Sequence, residues 1–214
     1  MGQPLAIDLF CGLGGWTEGL LAEGYRVVGF DIERHVYGEA QYPAQLVLQD
    51  VLTIHGSQFK DADLIVASPP CQAYSYRAMP WKRAKALPPP DNALFEACFR
   101  IQREACEAAG RHIPLVVENV CGAQKWVGRA KWHHRSFYLW GDVPALMVRP
   151  DGDAKGFRGF KGFRDFHDCE AARKWSSRDP RRREWSAHIA KIPLPLARHI
   201  ARMWKPLEDQ EHFA

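Results

Sequence analysis

The stretch LAIDLFCGLGG, residues 5–15, begins with an apolar run and ends in a cluster of glycines. Directly after it, WTEGLLAEG has the apolar spacing of an amphipathic helix and closes at Gly24. A short buried strand, a glycine turn and a helix together form the repeating unit of a doubly wound α/β domain. This stretch therefore predicts the fold class, and the chain after it repeats the same alternation.

Apolar runs continue to alternate with helical segments through the first two thirds of the chain. We predict further strands at 25–32, 44–50, 62–70, 113–120 and 136–141, and helices at 34–43 and 92–110. Strands that are apolar throughout and separated by helices indicate a parallel sheet covered on both faces. The predicted architecture is an α/β fold with a doubly wound, mostly parallel sheet.

The composition is that of a globular protein, with 214 residues of which 46% are hydrophobic and 25% charged. Its six cysteines show no C-x-x-C spacing, so we expect reduced thiols. There is no membrane-spanning apolar stretch and no signal-peptide pattern, which predicts a cytoplasmic protein without a membrane partner. We expect a catalytic and cofactor-binding domain at 1–148, a basic insertion at 149–187 and a terminal helix at 188–214 that packs back on the first domain.

The net charge of +4 is distributed unevenly along the chain. The insertion contains KGFRGFKGFRDFHD, in which basic residues interleave with aromatic ones, a texture suited to phosphates and stacked bases. Arg158, Lys161 and Arg164 are therefore predicted DNA contacts. The alternative is a solvated basic surface.

The unusual residues of the first half stand where predicted strands end. FCGLGG follows the first strand, Asp31 ends the second and Asp50 ends the third. In doubly wound sheets ligands bind at these carboxyl ends, and an acid about 20 residues after a glycine turn is placed to accept hydrogen bonds from ribose hydroxyls. The pattern lacks a phosphate cradle, so it fits S-adenosylmethionine better than NAD or ATP. A structural turn and capping aspartates are the alternatives.

Three motifs in this order, DLFCGLGG, SPPCQAYS and VVENV, resemble the cytosine-C5 DNA methyltransferases over residues 5–141. The resemblance implies a Rossmann-like, S-adenosylmethionine-dependent methyltransferase fold. A different methyltransferase of this fold with a buried Cys71 is the alternative.

The resemblance also implies a reaction. Cys71 would add to C6 of a flipped-out cytosine, Glu118 would hold a proton at N3, and Asn119 would orient the loop. The C5 atom, made nucleophilic in this way, would accept the methyl group of S-adenosylmethionine, which leaves as S-adenosylhomocysteine. The expected substrate is double-stranded DNA.

The same resemblance assigns ligand contacts. It implies that Phe10, Gly12, Gly14 and Gly15 surround the methionine part of the cofactor, Asp31 binds the ribose, Ile32 lies against the adenine and Asp50 meets its amino group. Pro70 and Gln72 would flank the nucleophile, with Pro70 at the cofactor and Gln72, Ser75 and Arg77 at the DNA. The proline-rich and basic stretch at 76–91 is interpreted as a lid.

The chain departs from the family pattern in three places. The arginines expected before the sixth strand are replaced by the sequence WHHRSFYLW. We name Arg135 as the substitute at the catalytic acid and Arg129 as the substitute at the DNA. Neither histidine of this stretch is given a role. A Gly-Asn pair expected near the C-terminus is missing. The recognition region is also short, which predicts short or relaxed sequence specificity of the kind suited to phages or restriction-modification systems, or specificity supplied by a partner protein.

Three other functions compete with DNA methylation. One is the same chemistry on RNA or a free nucleotide, and another is a DNA-binding or cofactor-sensing module derived from such an enzyme. The third is transfer of a group other than methyl from a modified cofactor. Cys71 and Glu118 together argue against a pure binding module, which has no use for the pair. We expect a monomer or a complex with an unidentified protein.

Overall fold

The structure, a computed structural model, describes residues 2–74, 88–145, 147 and 180–206. Most of the predicted lid and most of the basic insertion lie outside the described residues. The same holds for five predicted DNA contacts, which are Ser75, Arg77, Arg158, Lys161 and Arg164. These remain sequence-based predictions.

Seven strands form one sheet in the order β5-β2-β1-β6-β7-β9-β8. Their bounds are β1 Leu5–Leu9, β2 Arg26–Asp31, β5 Gln45–Leu48, β6 Leu64–Ala67, β7 Leu115–Asn119, β8 Trp132–His134 and β9 Phe137–Gly141. The first five strands of the order run parallel, whereas β9 pairs antiparallel with β7 and β8 pairs antiparallel with β9. The predicted mostly parallel, Rossmann-like sheet is therefore confirmed.

Helices cover both faces of this sheet. They are α1 Gly15–Ala22, α2 Ala93–Ala109, α3 Gln124–Val127, α4 Pro180–Ala190 and α5 Leu194–Trp204. On one face, α2 buries Phe95, Cys98 and Ile101. On the other, Trp16 of α1 and Leu196 of α5 belong to a second buried cluster. Because both faces are covered, the central strands β6 and β7 are buried at every residue, which explains their continuous apolar sequences.

The predicted helix at 34–43 is wrong, because this segment is a small hairpin. Strand β3 Val36–Tyr37 pairs antiparallel with β4 Ala40–Gln41. Gly38 between them has a φ of +59°, a left-handed conformation that ends helical geometry and that glycine adopts at little cost. The hairpin directs Tyr42 into the core, where its hydroxyl lies 2.7 Å from that of Thr17.

Helix α5 lies directly on α1. A Cβ added at Gly19 would come within 2.4 Å of the Ala197 Cβ, so the two helices approach more closely there than any larger residue would permit. The Tyr25 hydroxyl donates to the Ala201 carbonyl at 3.0 Å, and Arg202 pairs with Glu23 at 2.9 Å. The terminal helix thereby braces the helix that follows the glycine turn.

Within the ranges that the structure describes, no helix has the length and apolar character needed to cross a membrane.

Candidate active site

The carboxyl ends of the five parallel strands meet at one edge of the sheet, as the strand pairing requires. The described residues that the motifs predicted for the site lie at or just after these ends. They are Phe10 after β1, Asp31 at the end of β2, Asp50 after β5, Ser68 through Gln72 after β6, and Glu118 with Asn119 at the end of β7. The fold thus brings the predicted cofactor and catalytic residues to a common edge.

The turn after β1 is held by backbone hydrogen bonds. The Cys11 N–H donates to the Phe30 carbonyl at 3.2 Å, and the Gly14 N–H donates to the Cys11 carbonyl at 2.7 Å. Phe10 has a φ of +59°, a left-handed conformation that is uncommon for a bulky residue and is found at functional turns.

The glycines of this turn serve different purposes. Gly15 approaches the start of α5 so closely that an added Cβ would lie 2.4 Å from the Ile192 nitrogen. At Gly12, with a φ of +50°, no atom of the described residues other than its chain neighbours lies within 4 Å of an added Cβ. Gly15 is therefore required by packing, and the open space at Gly12 is where a ligand can approach the backbone.

Asp31 ties the end of β2 to this turn. Its Oδ2 accepts from the Gly12 N–H at 2.9 Å, its Oδ1 accepts from the Ile32 N–H at 2.8 Å, and His35 lies 3.6 Å from Oδ1. Burial alone would raise the pKa of Asp31, but the hydrogen bonds from His35 and the backbone outweigh it and hold the pKa below its usual value. Asp31 is therefore a carboxylate at neutral pH.

Two apolar side chains after neighbouring strands are exposed. Ile32, directly after β2, is 73% exposed, and Leu52, four residues after β5, is 48% exposed. Between them in the sequence, Asp50 accepts a hydrogen bond from the Leu52 N–H at 2.9 Å and so caps a short 3-10 turn at Val51–Thr53. Asp50 thus fixes the backbone that presents Leu52.

The loop that carries Cys71 is pinned at both ends. Asn119 donates from Nδ2 to the Pro69 carbonyl at 2.9 Å, and the Tyr74 N–H donates to the Cys71 carbonyl at 2.9 Å. The Tyr74 hydroxyl in turn donates to Asn92 at 2.9 Å. Cys71 is therefore a half-buried residue between exposed neighbours, on a loop of fixed position.

Glu118 is buried on the opposite face of β7 from Asn119, because successive side chains of a strand alternate. Burial raises the pKa of Glu118 to about 8, and a hydrogen bond from Ser68 opposes part of this rise. Ser68 also accepts from the Trp16 indole N–H at 3.0 Å. The acid therefore carries a proton at neutral pH and is linked through Ser68 to helix α1.

A second buried acid lies below the glycine turn. Asp8 is 1% exposed, accepts from the Thr17 hydroxyl at 2.6 Å, and burial raises its pKa to about 7. Thr17 in turn contacts the Tyr42 hydroxyl. Thr17 stands where a dinucleotide fingerprint would place its third glycine, and the structure gives it this packing role.

Sequence reasoning missed three of these residues, Trp16, Ser68 and Asp8. Only Asp8 left a local signal, as a charged residue inside the apolar run LAIDLF. Trp16 and Ser68 are distant in sequence, and their hydrogen bond exists only because β1 and β6 are neighbours in the sheet.

The predicted substitutes for the missing arginines lie on the antiparallel hairpin of β8 and β9. Arg135 occupies its turn with a φ of +53°, and Arg129 precedes β8; both side chains are exposed. The Glu118 hydrogen bond described above comes from Ser68, so an arginine role at this acid stays a prediction. His134 is buried and stacks on Trp132 with ring centroids 6.1 Å apart.

Among the described residues, no cluster of histidine, cysteine and acidic side chains could hold a metal ion. The five cysteines of this part of the chain form no disulfide bond with one another; Cys121 is exposed and Cys71 partly exposed.

The chain resembles several solved structures. One is a DNA modification methyltransferase encoded within an E. coli prophage, with 24% identity, a TM-score of 0.40, and coverage of 58% of this chain and 34% of the other. The Entamoeba histolytica methyltransferase EhMeth has 18% identity, a TM-score of 0.41, and coverage of 58% and 40%. The S. pombe Dnmt2 methyltransferase has 17% identity, a TM-score of 0.39, and coverage of 58% and 36%. The chain spans less than half the length of each.

A family model described as C-5 cytosine-specific DNA methylase matches residues 5–123, which is more than half of the chain. The match includes the glycine turn, Asp31, the Cys71 loop and the Glu118–Asn119 pair, and it confirms the family that the three sequence motifs predicted. The chain belongs to the C-5 cytosine-specific DNA methylase family.

Proposed function

We propose that this protein is an S-adenosylmethionine-dependent DNA methyltransferase that acts on C5 of cytosine through a covalent adduct with Cys71. The observation that carries the proposal is the arrangement at the end of β7. There, consecutive residues supply a buried, protonated acid, Glu118, and an amide, Asn119, that holds the loop of a partly exposed cysteine.

Cytosine C5 is a poor nucleophile, and addition of a thiolate at C6 makes it reactive. In the proposed step the Cys71 Sγ forms a bond to C6. The C5–C6 π electrons then form a C4–C5 double bond, and the C4–N3 π electrons move to N3. The Glu118 proton is shared with N3. A carboxyl with a pKa of about 8 holds this proton at neutral pH, whereas an ordinary glutamate would have lost it.

The open space at the edge of the sheet fits an adenosine ligand. Gly12 offers unobstructed backbone, Ile32 and Leu52 offer exposed apolar side chains, and the Asp31 carboxylate is available for a hydroxyl. Among the described residues its Oδ2 accepts one hydrogen bond, and a carboxylate oxygen has room for a second. Phe10, Gly14, Gly15, Asp50 and Pro70 complete the proposed cofactor contacts.

S-adenosylmethionine, when bound, supplies the methyl group that C5 accepts and leaves as S-adenosylhomocysteine. As C5 takes the methyl group, the proton at N3 returns to Glu118. A base then removes the C5 proton, the C5–H electrons restore the C5–C6 double bond, and the C6–Sγ bond breaks with its electrons going to Cys71. The product is 5-methylcytosine, and the thiolate is regenerated. Cys71 and Glu118 act on the base directly, and Asn119 positions the Cys71 loop.

The target base must leave the stack for Cys71 to reach C6, so the proposal includes base flipping from double-stranded DNA. Gln72, Ser75 and Arg77 are proposed to contact the flipped nucleotide, with Arg129 and Arg135 beside them. The insertion at 149–187, with Arg158, Lys161 and Arg164, is proposed as a minimal target-recognition region between the catalytic domain at 1–148 and the terminal segment at 188–214.

The proposed reaction predicts that Cys71→Ala abolishes formation of 5-methyldeoxycytidine while cofactor affinity stays within about two-fold, because the thiol is not among the proposed cofactor contacts. The measurement is incubation with S-adenosylmethionine and unmethylated duplex DNA, followed by digestion to nucleosides and mass spectrometry. Cys121→Ala, which removes an exposed thiol, is the matched control and should retain activity. Full activity of Cys71→Ala would refute the mechanism, and methylation of RNA or free nucleotides alone would refute the substrate.

The raised pKa of Glu118 predicts that Glu118→Gln lowers turnover by roughly 10²–10⁴-fold, because the amide cannot deliver a proton. Turnover of the unaltered protein should fall as the pH rises past about 8, where the carboxyl ionises.

Stability provides an independent test of the same carboxyl. A pKa raised by folding contributes stability that is complete below the ordinary pKa of 4.5 and is lost as the pH rises through about 8. Between pH 6 and 9, the unfolding temperature of Glu118→Gln should therefore fall less than that of the unaltered protein. The pH dependence that comes from Asp8 is the same in both proteins. The exposed Glu107→Gln is the control. Identical pH dependence in all three proteins would contradict a buried, protonated Glu118.

Asp31 is predicted to determine cofactor affinity. Asp31→Asn removes the charge and turns an amide N–H toward the backbone N–H of either Gly12 or Ile32. S-adenosylmethionine should therefore bind roughly 10–100-fold more weakly in calorimetry, as expected for a lost hydrogen bond to a charged group. Glu33→Gln changes a neighbouring exposed acid and should leave the affinity unchanged. Equal affinities for the unaltered protein and Asp31→Asn would remove Asp31 from the site.

A further inference from the structure

Positive charge is concentrated next to the candidate active site. Between Asn119 and Gly141 the sequence contains no acidic residue, and its four basic side chains, Lys125, Arg129, Lys131 and Arg135, are all exposed. Their charge equals the net charge of the whole chain, +4. We call residues 124–138 the cationic hairpin.

The backbone of the cationic hairpin is fixed by contacts with the sheet. The Trp140 indole N–H donates to the Gly128 carbonyl at 2.9 Å, and the Ala130 N–H donates to the Gln124 side chain at 3.2 Å. The Lys125 ammonium lies 4.4 Å from the centroid of the Trp126 ring, a cation–π contact. The backbone that carries these charges is therefore held in place, and Lys125 rests on a ring, which lowers the entropy cost of binding a polyanion.

Strand pairing locates the hairpin at the catalytic edge. Tyr138 pairs with Asn119 on one side and with His133 on the other, so all three residues lie at one level of the sheet. Residues directly opposite in neighbouring strands point to the same face. The next pair along, His134 with Phe137, already lies past the end of β7, and the turn at Arg135 and Ser136 follows it.

An exposed aromatic stack accompanies the charges. The His133 and Tyr138 rings are nearly parallel, at 10°, with centroids 4.6 Å apart. His133 is exposed and Tyr138 half-buried, so Tyr138 supports one face of the imidazole and the other face is accessible. Basic side chains combined with a supported, accessible ring are the elements with which proteins bind nucleic-acid strands.

We propose that the cationic hairpin binds the DNA that flanks the target cytosine, with Lys125 and Lys131 at phosphates and His133 stacked on an exposed base. The inference rests on the proposed function and names a second contact surface for the same substrate. It explains how a chain with a short recognition region could hold DNA firmly, because phosphate contacts supply affinity and orientation independently of sequence.

A different explanation of the same charges is protection of an edge strand. Strand β8 is the outer strand of the sheet, and lysines on such strands discourage pairing with other chains. Edge protection requires no DNA contact and no aromatic stack, so DNA-binding measurements separate the two explanations.

The charges are tested with Lys125→Gln/Lys131→Gln. Each lost phosphate contact lowers the slope of log affinity against log salt by about 0.9, so we expect a decrease of about 1.8 for labelled duplex DNA in fluorescence anisotropy. Arg26→Gln/Lys60→Gln removes two exposed charges at the opposite, amino edge of the sheet and is the control. An unchanged slope in the first variant, or an equal decrease in both, would overturn the proposal.

The ring is tested with His133→Ala and His133→Phe. Loss of a stacked base should weaken DNA binding about five-fold or more in His133→Ala, with the salt slope unchanged, while His133→Phe retains the affinity. Both variants should unfold at the temperature of the unaltered protein, because His133 is exposed. Equal affinity of all three proteins would remove the stacking contact.

These outcomes are separable from those of the proposed function. If the unaltered protein forms 5-methyldeoxycytidine but Lys125→Gln/Lys131→Gln keeps its salt slope, the hairpin proposal alone fails. If the slope changes as expected and no methylated nucleoside forms, the proposed function fails and the DNA contact stands. A slope change with single-stranded RNA and none with duplex DNA would overturn the assignment of DNA as the partner.

Discussion

The site depends on one physical constraint, the burial of the Glu118 carboxyl at the end of a central strand. Taken out of water, the carboxyl keeps its proton to a pKa of about 8, and the hydrogen bond from Ser68 fixes its position without removing that proton. Ser68 in turn accepts from Trp16, so the acid is linked to the helix that follows the glycine turn. Because side chains alternate along β7, the next residue, Asn119, faces the other way and holds the Cys71 loop.

Desolvation and hydrogen bonding give the carboxyls of one sheet edge different protonation states. Burial raises the pKa values of Glu118 and Asp8, whereas Asp31 receives enough hydrogen bonds to remain ionised in the same region. Separation of this kind is how one site supplies a proton donor and a hydrogen-bond acceptor at the same pH. In the proposed reaction the neutral acid meets the base, and the carboxylate meets the ribose.

The sequence predicted the central sheet well because its strands are buried on both faces and therefore read as apolar runs. Residues 34–43 were predicted incorrectly as a helix, since apolar spacing outweighed the left-handed Gly38 that forms the hairpin. The motifs named Cys71, Glu118 and the amide Asn119 beside the Cys71 loop, but not Ser68 and Trp16, which support Glu118. The Trp16–Ser68 bond joins residues 52 positions apart, and strand β8 acquires its partner only after the chain reverses at Arg135. Such contacts follow from the order of strands rather than from local sequence.

The central claim is that the Cys71 thiol forms a bond to cytosine. The most direct test is to incubate the protein with S-adenosylmethionine and duplex DNA that contains 5-fluorodeoxycytidine, and then to measure the intact mass of the denatured protein. Fluorine at C5 cannot leave as a proton does, so the adduct should persist. The account predicts a mass increase equal to the oligonucleotide plus one methyl group, located at Cys71 by peptide mapping and absent in Cys71→Ala. A protein that methylates DNA without forming this adduct, or an adduct located at Cys121, would contradict it.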